Sequence, residues 1–175
     1  AIVAMRTLWL KTHYPIEFFC AFMSSIKKSK DGHAKLRTMC SDARRFGIEV
    51  LGVDVNESGE GFRICRHPLD DTKEVLRFGF AYVKGVGKKA HDIIAGQPYS
   101  SFQDFLRRGT RQKTAVENLI DAGAFDGLCE NRRALHEYYA EWCTSGNKGV
   151  GRQLFAKFMS MINMTKNSHP HLYEA

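Results

Sequence analysis

Residues 83–94 read Val83-Lys84-Gly85-Val86-Gly87-Lys88-Lys89-Ala90-His91-Asp92-Ile93-Ile94, and the neighbouring segments fall into order around them. Two glycines flank one small apolar residue, and a helical run led by paired lysines follows. Glycine at both positions lets the backbone turn tightly and approach another molecule with no Cβ in the way. The amides that open the next helix are unpaired and carry the positive end of its dipole, which suits an anion such as a phosphate. The stretch predicts the hairpin of a helix-hairpin-helix, a device for holding a nucleic-acid backbone. It is not a nucleotide-binding Walker loop, because it lacks the longer glycine spacing and the Ser or Thr after lysine.

Downstream, Gly96-Gln97-Pro98 ends the helix that starts near Gly87. Ser100 or Ser101 then caps a short helix with Phe102, Phe105 and Leu106 on its apolar side. Thr114 with Glu117 fits a capping box that opens a helix through Val116, Leu119 and Ile120. Asp121-Ala122-Gly123-Ala124-Phe125-Asp126-Gly127 closes that helix, and Asn131 caps another containing Leu135, Tyr138 and Trp142. Helix, glycine-bearing turn and helix thus occur twice, around Gly85 and around Gly123. The second copy lacks the lysines of the first.

Upstream, Phe62-Arg63-Ile64 and Leu76-Arg77-Phe78-Gly79-Phe80 predict two short antiparallel strands around a polar loop at 67–72. Asn56-Glu57-Ser58-Gly59 reads as a turn, and 48–55 as a short strand or packed crossing segment. Before these come three helices. The first carries Ile2, Met5, Leu8 and Trp9 at helical spacing. The second starts at Pro15 and carries Phe18, Phe19, Phe22, Met23 and Ile26, a stripe that predicts core. A polar connection at 27–32 leads to the third, with Leu36, Met39, Cys40 and Ala43 on one side and Gly47 as its stop. The expected architecture is mainly α: a fingers-like helical segment (1–55), then a tandem helix-hairpin-helix domain with a small antiparallel β-hairpin (56–143). A linker with a C-terminal helix and tail (144–175) completes it.

The 175 residues are 43% hydrophobic and 26% charged, ordinary values for a globular chain. The formal charge of +7 is compatible with a polyanionic partner without requiring one. Five scattered cysteines offer no zinc spacing, and free thiols in a reducing cytoplasm are the simplest reading. His169-Pro170-His171 reads as part of a solvated tail. No apolar run approaches the roughly 20 residues of a membrane helix, so no membrane partner is expected. The start is not a signal peptide, and it runs directly into a helical pattern without Met, which suggests a piece of a longer protein.

Read in order, these motifs resemble the bacterial DNA polymerase III alpha subunit, the C-family replicative polymerase. Thr7-Leu8-Trp9-Leu10-Lys11-Thr12-His13-Tyr14-Pro15-Ile16-Glu17-Phe18 is similar to a segment late in its fingers. Arg44-Arg45-Phe46-Gly47-Ile48-Glu49-Val50-Leu51 and Asp54-Val55-Asn56-Glu57-Ser58 are similar to the stretch just downstream. Arg77-Phe78-Gly79-Phe80 leading into Val83-Lys84-Gly85-Val86-Gly87 matches the start of its helix-hairpin-helix. Ser101-Phe102-Gln103-Asp104-Phe105, 119–128 and Asn131-Arg132-Arg133-Ala134-Leu135 complete the tandem unit. The resemblance is collinear over 1–140. It departs at Gly52-Val53, where the family usually has Pro-Pro, and at Gln153-Leu154-Phe155, where a clamp-binding peptide would space its Gln further from Leu-Phe.

The resemblance implies a parent DNA-directed DNA polymerase that holds two divalent metal ions, Mg, on palm carboxylates. This fragment begins downstream of that region, so no catalytic residue, no cofactor and no independent activity are expected in it. Asp70-Asp71, its one adjacent acidic pair, reads as a solvated loop. The expected role is a grip on duplex DNA that is independent of sequence and weakened by salt. Lys84, Gly85, Val86, Gly87, Lys88 and Lys89 are the expected DNA-binding residues. Arg107, Arg108, Arg111 and Lys113 extend the basic surface if they fall on the same side. The expected partners are duplex DNA and the rest of the polymerase chain. The alternative is a non-catalytic adapter whose terminal helix docks a replication protein such as the sliding clamp.

Overall fold

The computed structural model describes residues 2–26, 30–144 and Ser160. The linker expected at 144–151, the last helix with its clamp-like Gln153-Leu154-Phe155, and the histidine-bearing tail lie outside the described residues, apart from Thr144 and Ser160.

Three helices come first: α1 (Ile2–His13), α2 (Pro15–Ser25) and α3 (Lys30–Arg45). Pro15 opens α2, where its missing N–H is no loss. The α3 helix begins at Lys30, inside the polar connection expected at 27–32, because Asp31 complements its first turn and Arg44 and Arg45 its last. Phe19 and Met23 of α2 are fully buried, with Leu36 and Ala43 of α3, Ile48, Phe62 and Leu76. The α1 helix has no buried residue, and Ile2, Leu8 and Trp9 are 64%, 66% and 51% exposed. What fastens it is Lys11, whose ammonium lies 5.3 and 5.1 Å from the Phe19 and Phe46 ring centres and 4.0 Å from Asp42.

The sheet has three strands rather than two. β2 (Arg63–His67) and β3 (Asp70–Arg77) form the expected antiparallel hairpin, and β1 (Val50–Leu51) adds to β3 in parallel, in the order β1-β3-β2. The connecting loop is shorter than 67–72, since pairing continues to His67 and Asp70. The strand ends at Arg77, so Phe78-Gly79-Phe80 is not strand as expected. A Cβ on Gly79 would lie 2.5 Å from the Gly61 carbonyl carbon, so only glycine lets these two backbones meet. A 3-10 turn (Phe80–Tyr82) then leads into the glycine hairpin.

The second half is helical: α4 (Ala90–Ala95), α5 (Phe102–Arg108), α6 (Lys113–Asp121) and α7 (Arg132–Thr144). Ser101 caps α5, its hydroxyl accepting from the Asp104 amide at 3.2 Å. Asn131 caps α7, accepting from the Ala134 amide at 3.0 Å. The capping box expected at Thr114 and Glu117 does not form. The α6 helix starts two residues earlier, Gln112 takes the cap position without a side-chain bond, and Glu117 faces Lys113 at 3.9 Å. All four helices contribute to one core, in which Phe125 meets Phe102 and Phe105 of α5 edge to face, with centroids 4.9 Å apart in each pair.

The stretch 54–58 ties the two cores together. The Asp54 carboxylate accepts from the amides of Asn56 and Glu57 at 2.8 and 3.1 Å and folds the turn. Asn56 exchanges two bonds with the Tyr99 backbone, at 3.0 and 2.7 Å. Gln97 donates to the Val55 and Ser58 carbonyls at 2.8 and 3.1 Å, and buried Ser58 donates to the Phe78 carbonyl at 2.7 Å. Phe78 packs against both hydrophobic clusters.

Candidate nucleic-acid interface

The hairpin is built on one buried residue. Val86 is fully buried in the second core, together with Ala90 and Ile93 of α4. This anchor turns Gly85 and Gly87 outward on either side. Gly85 has φ +78°, the left-handed conformation that glycine adopts without strain. The loop is braced from behind, where Asn118 of α6 donates to the Lys84 carbonyl at 2.8 Å. Val86 and Lys89 use their amides within the turn, on the carbonyls of Val83 and Val86 at 3.2 and 2.7 Å. The amides of Gly85, Gly87 and Lys88 make no such bond among the described residues. They remain available to an outside acceptor.

Local geometry differs from the expected single helix running from near Gly87 to Gly96. Gly87–Lys89 forms a 3-10 turn, and α4 spans six residues before Gly96. A helix this short contributes little collective dipole, so any anion binding rests on the individual amides and lysines. Lys84 and Lys88 are exposed and form no ion pair among the described residues. Lys89 is committed locally, 3.3 Å from the Asp92 carboxylate.

The outlying basic residues divide. Arg107 is exposed and Arg111 only brushes the Leu106 carbonyl at 3.4 Å. Lys113 is exposed near Glu117. Arg108 is consumed by the fold: it pairs with Asp104, donates to the Gly96 and Pro98 carbonyls at 2.8 and 2.7 Å, and lies 5.1 Å from the Tyr99 ring centre. Its guanidinium holds the Asp104 carboxyl well below the usual carboxylate range. The basic run in the sequence did not reveal which arginine was already engaged.

The second hairpin repeats the backbone and not the chemistry. Gly123 has φ +77°, matching Gly85. Its mouth, however, is filled by Arg132, which pairs with Asp126 at 2.5 Å and donates to the Asp121 carbonyl at 3.2 Å. An internal cation thus occupies the space that is open at Gly85. Among the described residues no cluster of His, Cys, Asp or Glu could hold a metal ion.

A groove of about 510 Å³ lies along the first hairpin, lined by Tyr82, Lys84, Gly85, Gly87 and Lys88 and also by His33 of α3 and Gln112. Sequence reasoning missed the last two, because they are far from the hairpin in the chain.

Comparison with known proteins agrees with this geometry. The helix-hairpin-helix motif family matches residues 47–135. The DNA polymerase III alpha subunit of Thermus aquaticus is 36% identical over 143 residues, covering 77% of this chain and 11% of the relative. That of Caulobacter vibrioides is 39% identical, covering 77% and 12%. The error-prone DNA polymerase of Symbiobacterium thermophilum is 34% identical, covering 77% and 14%. The chain therefore spans about an eighth or less of the first two relatives' length.

Proposed function

This chain belongs to the helix-hairpin-helix motif family, and we propose that its Gly85 hairpin grips duplex DNA by the backbone. The observation that carries this reading is the turn at Gly85, Gly87 and Lys88, whose amides are unbonded and whose Lys84 and Lys88 form no ion pair among the described residues. Phosphate oxygens accept from such amides, and Lys84 and Lys88 add charge without reading bases. The Gly123 hairpin, closed by Arg132, supports the tandem fold rather than a second grip. In the parent chain the grip would serve a DNA-directed DNA polymerase and hold the duplex while the chemistry proceeds on residues outside this segment. Duplex DNA and the remaining polymerase chain are the proposed partners.

Duplex binding measured for the Lys84→Ala/Lys88→Ala double variant tests the reading. The account expects a uniform loss across unrelated sequences and a salt slope shallower by about two. A double variant that binds as tightly as the native chain would refute it. Lys73→Ala is the control, because Lys73 is engaged with Glu49 at 2.8 Å on the sheet.

A further inference from the structure

The groove beside the hairpin is not made by the hairpin alone. One wall carries Lys84, Gly87 and Lys88, and His33 and Gln112 contribute from separate elements. His33 lies in the first turn of α3, in the segment that precedes the sheet. It is exposed and makes no hydrogen bond or ion pair among the described residues. Gln112 sits at the cap position of α6, yet its side chain makes no cap bond, so its amide is free to donate elsewhere. Among the described residues no carboxylate lines the groove, whose polar side chains are two ammonium groups, an imidazole, a carboxamide and the Tyr82 hydroxyl, which donates to the Met23 carbonyl at 2.9 Å. A surface with that inventory is complementary to a polyanion, and a chain of phosphodiesters is the one that the hairpin reading supplies.

We propose that the DNA backbone runs through this groove, with His33 and Gln112 donating to phosphate oxygens from outside the hairpin. The α3 helix then belongs to the DNA footprint, and the two halves of the chain bind one duplex jointly. An imidazole N–H and a carboxamide N–H are both sufficient donors, so no change of protonation is needed. Like the lysines, they position the duplex without selecting sequence. This inference rests on the reading of the hairpin as a DNA grip, and its test separates the two.

The test is equilibrium binding of the intact chain to duplex oligonucleotides of two unrelated sequences, with thermal melting as the check on folding. His33→Ala and Gln112→Ala are each expected to weaken binding by roughly three- to tenfold on both sequences. His33→Arg retains or tightens it, and His33→Glu weakens it further. Native affinity in the His33→Ala/Gln112→Ala variant, with Lys84→Ala/Lys88→Ala still impaired, would overturn the groove and leave the hairpin standing. Native affinity in both double variants would remove the hairpin reading as well.

Discussion

Gly85 and Gly123 share one backbone conformation, and what surrounds each decides its role. A Cβ on Gly85 would meet Asn118 and Thr114 at 3.5 and 3.6 Å, ordinary contact distances. Gly85→Ala should therefore cost only the left-handed strain, about 1–2 kcal/mol. A Cβ on Gly123 would come within 2.7 Å of the Asp126 carboxylate and closer still to Arg132, so Gly123→Ala must also displace that ion pair. Denaturant unfolding should show the larger loss at Gly123; equal losses would mean that Arg132 does not fill the mouth. Asp104 supplies a second test at this scale. Arg108 depresses its folded pKa below the unfolded value, so its stabilisation is complete above about pH 4 and fades as pH falls further. The melting-temperature gap between the native chain and Asp104→Asn should accordingly narrow on acidification below that point, and a constant gap would contradict the pairing. The sequence displays Arg107, Arg108 and Arg111 as equivalents. Their difference lies in carbonyls that the fold brings to Arg108 alone.

At the level of elements, periodicity identified helices and did not say what covers them. The stripe on α2 buries Phe19 and Met23 as expected but leaves Phe22, also expected in the core, 42% exposed, while the similar spacing on α1 leaves Leu8 and Trp9 exposed. Phe19→Ala should cost about 3–5 kcal/mol, and Leu8→Ala should stay within about 0.5 kcal/mol by denaturant unfolding. Comparable losses would show that α1 is packed. The β-hairpin was legible because its alternation and turn are local. The reading of 48–55 as a short strand or packed crossing segment contained β1, but its parallel pairing was not legible, because two residues carry no period and their partners, Leu76 and Arg77, are remote in the chain. The turn at 54–58 was legible as a turn, but the bonds from Asn56 to Tyr99 that make it a joint depend on the folded loop. Likewise, no spacing rule could place His33 beside Lys88.

Across the whole molecule, the two hydrophobic clusters meet at Phe78, and the basic hairpin opens beside that junction. The family and the order of motifs were readable because they are carried by short, local stretches from residue 7 to 135. The closure of the second hairpin was not, since Arg132 reaches Asp126 and Asp121 only in the folded turn. One hairpin is therefore open, and in the proposed function it is the one that meets DNA, through phosphates. The decisive measurement is the affinity of the intact chain for two unrelated duplexes across a range of salt. The account predicts equal affinities and a linear fall of log K with log salt, with a slope of about −1.8 from Lys84 and Lys88 and steeper with any further cation on the duplex. Affinity that ignores salt, strong preference for one sequence, or no binding at low salt would contradict it.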